Sequence, residues 1–190
     1  RIGYFEDRDN DYDVVFLSNI TLLRKYTGNI RPKIVSRLSG NKTFTDEGSH
    51  HMIQLLQIPD VIIATNQFLY DVVKKNFPEK EVYIIPNGLD LSKWKKLEIK
   101  DEPFVAGFCG NISTTYFREY KGYSLVIDAC RQLDILCHEA LYNPSKKAGE
   151  FSHEDMIEKF YSRISVLVHP TMGEGCSNTI MEALALGIPI

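Results

Sequence analysis

At 190 residues the chain has the length of one ordinary domain or of two incomplete ones. With 44% hydrophobic, 25% charged and 11% aromatic residues it has the composition of a folded globular protein, which excludes a disordered chain. The formal net charge of -3 implies no strong field for nucleic acid or membranes. The cysteines Cys109, Cys130, Cys137 and Cys176 include no C-x-x-C pair and read as reduced thiols rather than a disulfide frame. No apolar run approaches the roughly 18–20 residues of a membrane span, and no signal peptide is recognisable. The expected compartment is cytoplasmic, with peripheral membrane association left open.

In chain order, the first half alternates strands and helices, the pattern of a parallel sheet with covered faces. Val14–Leu17 and Lys33–Ser36 are predicted strands. Gly40–Gly48 is polar and reads as a loop, and Ser49–Leu56 as a helix. A strand over 61–65, a helix over 66–76 and a strand over 82–86 follow. Asn87-Gly88 is a turn signal. Residues 91–103, rich in lysine and ending at Pro103, form a charged connector.

The second half opens with an apolar strand over 104–109, then a loop and a helix over about 122–133. Leu125, Val126, Ile127, Ala129, Cys130 and Leu133 supply that helix's apolar residues. Asp134–Gly149 is weakly patterned, with Ile135–Cys137 as its one strand candidate. His153–Arg163 reads as an amphipathic helix and Ile164–His169 as a strand. No internal repeat or low-complexity tract appears.

The stretch Thr171–Glu182 carries the most chemistry. Glu174 falls in a loop after the strand, and Glu182 stands one to two turns into a helix that Ser177-Asn178-Thr179 can cap. Such a junction offers helix-start amides to an anion and flanking carboxylates to hydroxyl groups. A nucleoside diphosphate sugar, with ribose, diphosphate and sugar in line, has that layout. No pair of His, Cys or carboxylates shows metal-ligand spacing, so no tight metal site is expected.

Glu174 to Glu182 resembles the E-x7-E signature of retaining glycosyltransferases of the GT-B architecture, family-4 type. Other elements follow in the same order. Val61–Thr65 with Asn66 is similar to the family's strand before a short helix. Val82–Asp90 is similar to its "vipNGvD" element, and Phe104–Gly110 with Tyr120–Tyr123 to "yvGr…KG". Ile164–Thr171 is similar to "advfvlPS", and Glu182–Pro189 to "EAmAcGiPv". The resemblance covers roughly residues 60–190.

The resemblance implies an α/β fold of two Rossmann-like domains, incomplete at both ends. Residues 1–92 would form a partial N-terminal, acceptor-side domain, 93–103 a linker, and 104–190 a truncated nucleotide-sugar-binding domain. It implies a retaining, metal-independent transferase with no cofactor. Its donor would be a nucleoside-diphosphate sugar and its acceptor a glycan, lipid-linked or other molecule. Lys121 would contact the diphosphate. Asn111 stands where the family usually has a basic residue after Gly110, and Arg118 is the nearest replacement. Glu182 would accept from the ribose hydroxyls and Glu174 from the donor sugar. Gly175, Cys176, Ser177, Asn178 and Thr179, with Gly110 and Asn111, would line the donor. Cys176 would serve through its backbone N–H. The histidine often found after an N-terminal strand is missing from Ser36–Gly40, and His50 and His51 read as surface helix positions. Two rivals remain: a nucleotide- or glycan-binding module of this fold without turnover, and a glycoside hydrolase using Glu174 and Glu182.

Overall fold

The computed structural model describes residues 13–18, 20, 22, 32–44, 49–98, 103–143, 148–149 and 151–190. Its contacts divide the chain into two compact units, Arg1–Asn87 with Glu174–Cys176, and Gly88–Gly173 with Ser177–Ile190.

In the first unit β1 (Val14–Leu17), β2 (Lys33–Leu38), β3 (Val61–Ala64) and β4 (Glu81–Ile84) form a parallel sheet in chain order. Parallel neighbours require crossovers. Helices α1 (Ser49–Leu55) and α2 (Gln67–Asn76) provide those after β2 and β3. Strand β3 lies inside the sheet and reads as the uninterrupted apolar run Val-Ile-Ile-Ala, as burial on both faces demands. Edge-lying β4 leaves Glu81, Tyr83 and Ile84 exposed. Leu17, Ile34, Leu38, Leu56, Ile62, Leu69 and Val73 are central to the core. The expected loop 40–48 holds a 3-10 turn at Asn41–Phe44, and its remainder from 45 lies outside the described residues. His50 and His51 are exposed on α1.

Three asparagines of this unit each donate to a successive carbonyl. Asn41 Nδ2 reaches the Glu174 carbonyl at 3.1 Å, Asn66 Nδ2 that of Gly175 at 2.6 Å, and Asn87 Nδ2 that of Cys176 at 2.9 Å. Arg37 in turn donates to Asn87 Oδ1. A Cβ at position 175 would come within 2.7 Å of the Gly40 nitrogen, so this backbone-on-backbone approach requires glycine.

In the second unit the strand order is β7-β6-β5-β8. β5 (Val105–Gly110) pairs in parallel with β6 (Leu136–Asn143) on one side and β8 (Val166–Leu167) on the other. The two-residue β7 (Ala148–Gly149) pairs antiparallel to β6. Strand alternation sends Ala106 and Phe108 to one core, with Val126 and Cys130 of α4 (Tyr123–Leu133). Val105 and Cys109 pack on the other core, with Phe160, Tyr161, Leu167, Ala183 and Leu186.

Several expectations need correction here. Trp94 and Leu97, placed by sequence in the connector, belong to the second unit's core. Trp94 is 4% exposed, and the Leu97 amide donates to the Leu186 carbonyl at 2.9 Å. The loop after β5 contains a further helix, α3 (Thr115–Tyr120), capped by the Thr114 hydroxyl on the Phe117 amide. On α4 only Val126 and Cys130 are buried, while Leu125 and Leu133 face solvent. The weakly patterned stretch contains the eight-residue β6, whose polar residues have tertiary partners. His138 stacks 5.7 Å from Phe160, and Glu139 accepts from the Tyr123 hydroxyl. The expected helix 153–163 is only α5 (Met156–Lys159) and a 3-10 turn at Tyr161–Arg163. The chain breaks at Phe160 so that both Phe160 and Tyr161 enter the core. Strand β8 is shorter than the expected 164–169, while α6 (Asn178–Leu186) starts within the capping stretch Ser177-Asn178-Thr179, with Ser177 as the cap. No helix among the described residues is long and apolar enough to cross a membrane.

Asn66 caps α2, its Oδ1 accepting from the Leu69 amide at 2.9 Å while its Nδ2 donates elsewhere. Replacing Asn66 by alanine is expected to lower the unfolding free energy by about 1–2 kcal/mol. Urea denaturation followed by circular dichroism measures it; an unchanged midpoint would contradict the capping role.

Candidate functional site

The second unit's central strand β5 leads to β6 on one side, and the chain later returns to β8 on its other side. This is a point where parallel strand order reverses, and the crevice beyond the carboxyl end of such a strand is where α/β sheets bind ligands. Gly110 ends β5 there. Asn111 next to it uses its side chain locally, Oδ1 accepting from the Ser113 amide at 2.9 Å, so it shapes the loop.

Lys121 directly precedes Gly122, the N-cap of α4, in keeping with the helix expected from about residue 122. It is the C-cap of α3, and with Gly122 forms the joint between α3 and α4. Gly122 has φ +67°, and a Cβ there would lie 2.8 Å from the Pro170 carbonyl oxygen and 2.7 Å from Pro170 Cγ. Both the left-handed backbone and the packing exclude a side chain. The same joint is tied to the chain entering α6. The Met172 amide donates to the Tyr120 carbonyl at 3.0 Å, and the Tyr120 hydroxyl donates to the Gly173 carbonyl. These bonds fix Lys121 beside β5, with its Cγ 3.9 Å from where a Cβ of Gly110 would stand. Arg118, one turn earlier, is exposed and lies with its guanidinium 5.2 Å from the Tyr123 ring centre.

On the other side of β5, Ser177 caps α6, its Oγ accepting from the Ile180 amide at 3.4 Å and lying 3.5 Å from His169 Nε2. Asn178 is exposed at the first position of that helix. Thr179 forms a side-chain hydrogen bond with Cys109, whose thiol is pushed up to about 11. Burial is the main cause. The Glu182 charge adds to it, while the Thr179 bond and the Lys121 charge oppose it. Cys109 is thus the meeting point of Lys121, Thr179 and Glu182.

Glu182 is 5% exposed. Its Oε2 accepts from the Tyr161 hydroxyl at 2.7 Å, and its Oε1 lies 3.8 Å from His153 Nδ1. Burial, followed by the hydrogen bond to Glu182 and that carboxylate's charge, raises the Tyr161 phenol far above its ordinary range, so it stays a donor. An apolar cavity lined by Cys109, Gly110, Leu141, Tyr142, Phe151 and Met156 lies at the ends of β5 and β6.

Of the sequence-derived site residues, the structure gathers Gly110, Lys121, Thr179 and Glu182 around the end of β5, with Ser177 capping the adjacent helix. Glu174, Gly175 and Cys176 group with the first unit, held through their carbonyls. Sequence reasoning missed Tyr161 and the three asparagines. The only available signal for Tyr161 was that a glutamate on an apolar helix such as Ile180–Leu186 needs a buried donor. Among the described residues there is no group of three or more His, Cys, Asp or Glu placed to hold a metal ion.

No protein-family model matches this chain, and no curated protein matches its sequence. Among solved structures it is similar to the lipopolysaccharide outer core galactosyltransferase WaaB in its apo form. The TM-score is 0.57 at 12% identity, over 96% of this chain and 57% of that one. It also matches the pneumococcal O-GlcNAc transferase GtfA in complex with UDP and GlcNAc, with TM-score 0.46 at 15% identity, over 83% of this chain and 37% of that one. The first match shows the fold, an α/β architecture of parallel sheets of the GT-B glycosyltransferase type. The chain spans little more than half the length of WaaB.

The Cys109 thiol is protonated below about pH 11. Iodoacetamide applied to the folded protein at pH 8, with peptide mass spectrometry as readout, is expected to leave Cys109 unmodified. Labelling appears only after unfolding or as the pH nears that value; rapid labelling at pH 8 would show the thiol is not held as described.

Proposed function

We propose that the chain carries the donor site of a retaining, metal-independent glycosyltransferase of the family-4 type, which moves a sugar from a nucleoside-diphosphate sugar to a glycan, lipid-linked or other acceptor. The observation that carries the reading is the convergence of Lys121, the capped start of α6 and buried Glu182 at the end of one parallel strand. In this reading the diphosphate binds between the Lys121 ammonium and the α6 amides of Asn178 and Thr179. Negative charge growing on the departing diphosphate meets a fixed cation and a helix dipole already aimed at it.

Glu182 takes the ribose hydroxyls, and the apolar cavity beside Cys109 takes the base. Arg118 supplies a second cation from the end of α3. Catalysis rests on holding the donor in line and stabilising the leaving group, with no resident metal required.

The test is transfer assayed with a panel of nucleoside-diphosphate sugars and glycan or lipid-linked acceptors, with and without EDTA. Turnover unaffected by the chelator, with an anomeric configuration retained by NMR, is expected. Lys121→Ala is expected to reduce kcat by about 100-fold or more, since it removes a donor aimed at developing charge. Binding without turnover would instead assign a nucleotide- or glycan-binding module. Hydrolysis of aryl glycosides would revive the glycosidase.

A further inference from the structure

Among the described residues, Tyr161 and Glu182 form a hydrogen bond between two buried side chains. A carboxylate buried at 5% exposure is costly unless hydrogen-bonded. Tyr161, itself 1% exposed, supplies the bond. The phenol cannot swing away. Its ring is held edge-on by Trp94 at 5.7 Å and by Phe160 at 5.0 Å. Its hydroxyl also lies 3.4 Å from the Thr179 carbonyl on the first turn of α6. The two carboxylate oxygens therefore differ. Oε2 faces the core and is occupied, whereas Oε1 lies toward His153, whose side chain is 69% exposed.

We propose that Tyr161 is a positioning residue for Glu182: by occupying Oε2 it fixes the carboxylate so that Oε1 alone is presented to the ribose hydroxyls of a bound nucleotide. The inference rests on the donor-site reading above. It assigns Tyr161 no contact with substrate. Without the phenol the carboxylate can rotate, and the buried oxygen loses its only strong donor among the described contacts. The ligand's vicinal diol then meets a mobile acceptor instead of a fixed one. The role is specific to the diol, which separates it from general support of the fold: the diphosphate, held by Lys121 and the α6 amides, does not depend on it.

Calorimetry can isolate that specificity. Adenosine, guanosine and uridine diphosphates and their 2′,3′-dideoxy counterparts are titrated into the wild type, Tyr161→Phe, Glu182→Gln and Lys121→Ala. In the wild type the best ribose ligand is expected to bind at least ~10-fold tighter than its dideoxy form, the effect of hydrogen bonds to a charged group. Tyr161→Phe should bring that ratio below ~3-fold while leaving dideoxy affinity unchanged. Lys121→Ala should weaken both forms alike and keep the ratio. Retention of the full ratio in Tyr161→Phe overturns the proposal and leaves the donor site standing. Should that variant fail to fold, Glu182→Gln decides. With Tyr161 taking the amide oxygen, the NH2 group faces the diol and the preference must fall; an undiminished preference overturns the proposal. If no diphosphate binds the wild type, the donor-site reading fails and this inference falls with it.

Discussion

The second unit's site depends on the backbone of one residue. Gly122 turns left-handed between two helices while Pro170 packs against it, where a Cβ would have to stand. That contact joins two segments far apart in sequence, the α3–α4 joint and the chain entering α6. The bonds from Met172 and Tyr120 then lock them together. Because both segments are fixed, Lys121 and the start of α6 flank the same strand end.

Around that strand end the protein mixes charge with burial. Glu182 is held inside the core by a hydrogen bond from buried Tyr161, and Cys109 is kept neutral beside it by burial. The two effects are complementary. A low-dielectric surrounding strengthens the field of a charged group within it, and a neutral thiol adds no negative charge beside Glu182. The first unit uses a different device on Glu174–Cys176. Three asparagine side chains take the three carbonyls in succession, and a glycine permits the close backbone approach. Side-chain amides fix that loop's conformation without any regular secondary structure.

Much of this fold was legible in the sequence. The apolar run at Val61–Ala64 marked a strand of a parallel sheet with covered faces, and Ser177-Asn178-Thr179 marked a helix start, where the Ser177 hydroxyl is the cap. Elements whose signal was tertiary were not legible. β6 looked unpatterned because His138 and Glu139 are satisfied by Phe160, Lys159 and Tyr123, which lie elsewhere in sequence. The helix read over His153–Arg163 breaks at Phe160, because packing both aromatic residues into the core outweighs continuing the helical hydrogen bonds. Trp94 looked like part of a charged connector, since its lysine neighbours hide an anchor that only its partner Tyr161 reveals.

Local chemistry by itself determined the alternation of strands and helices, the helix start after Lys121, and the junction carrying Glu174 and Glu182, because periodicity, capping and turn residues act over a few positions. The sequence also supplied the family resemblance, and the structure agrees with its GT-B fold. Only tertiary structure decided which oxygen of Glu182 is occupied, that Cys109 sits among Lys121, Thr179 and Glu182, and that asparagines from three separate places meet three consecutive carbonyls. Those outcomes depend on groups brought together across many residues by burial, where a polar atom must find a partner, and no local pattern encodes which partner that is.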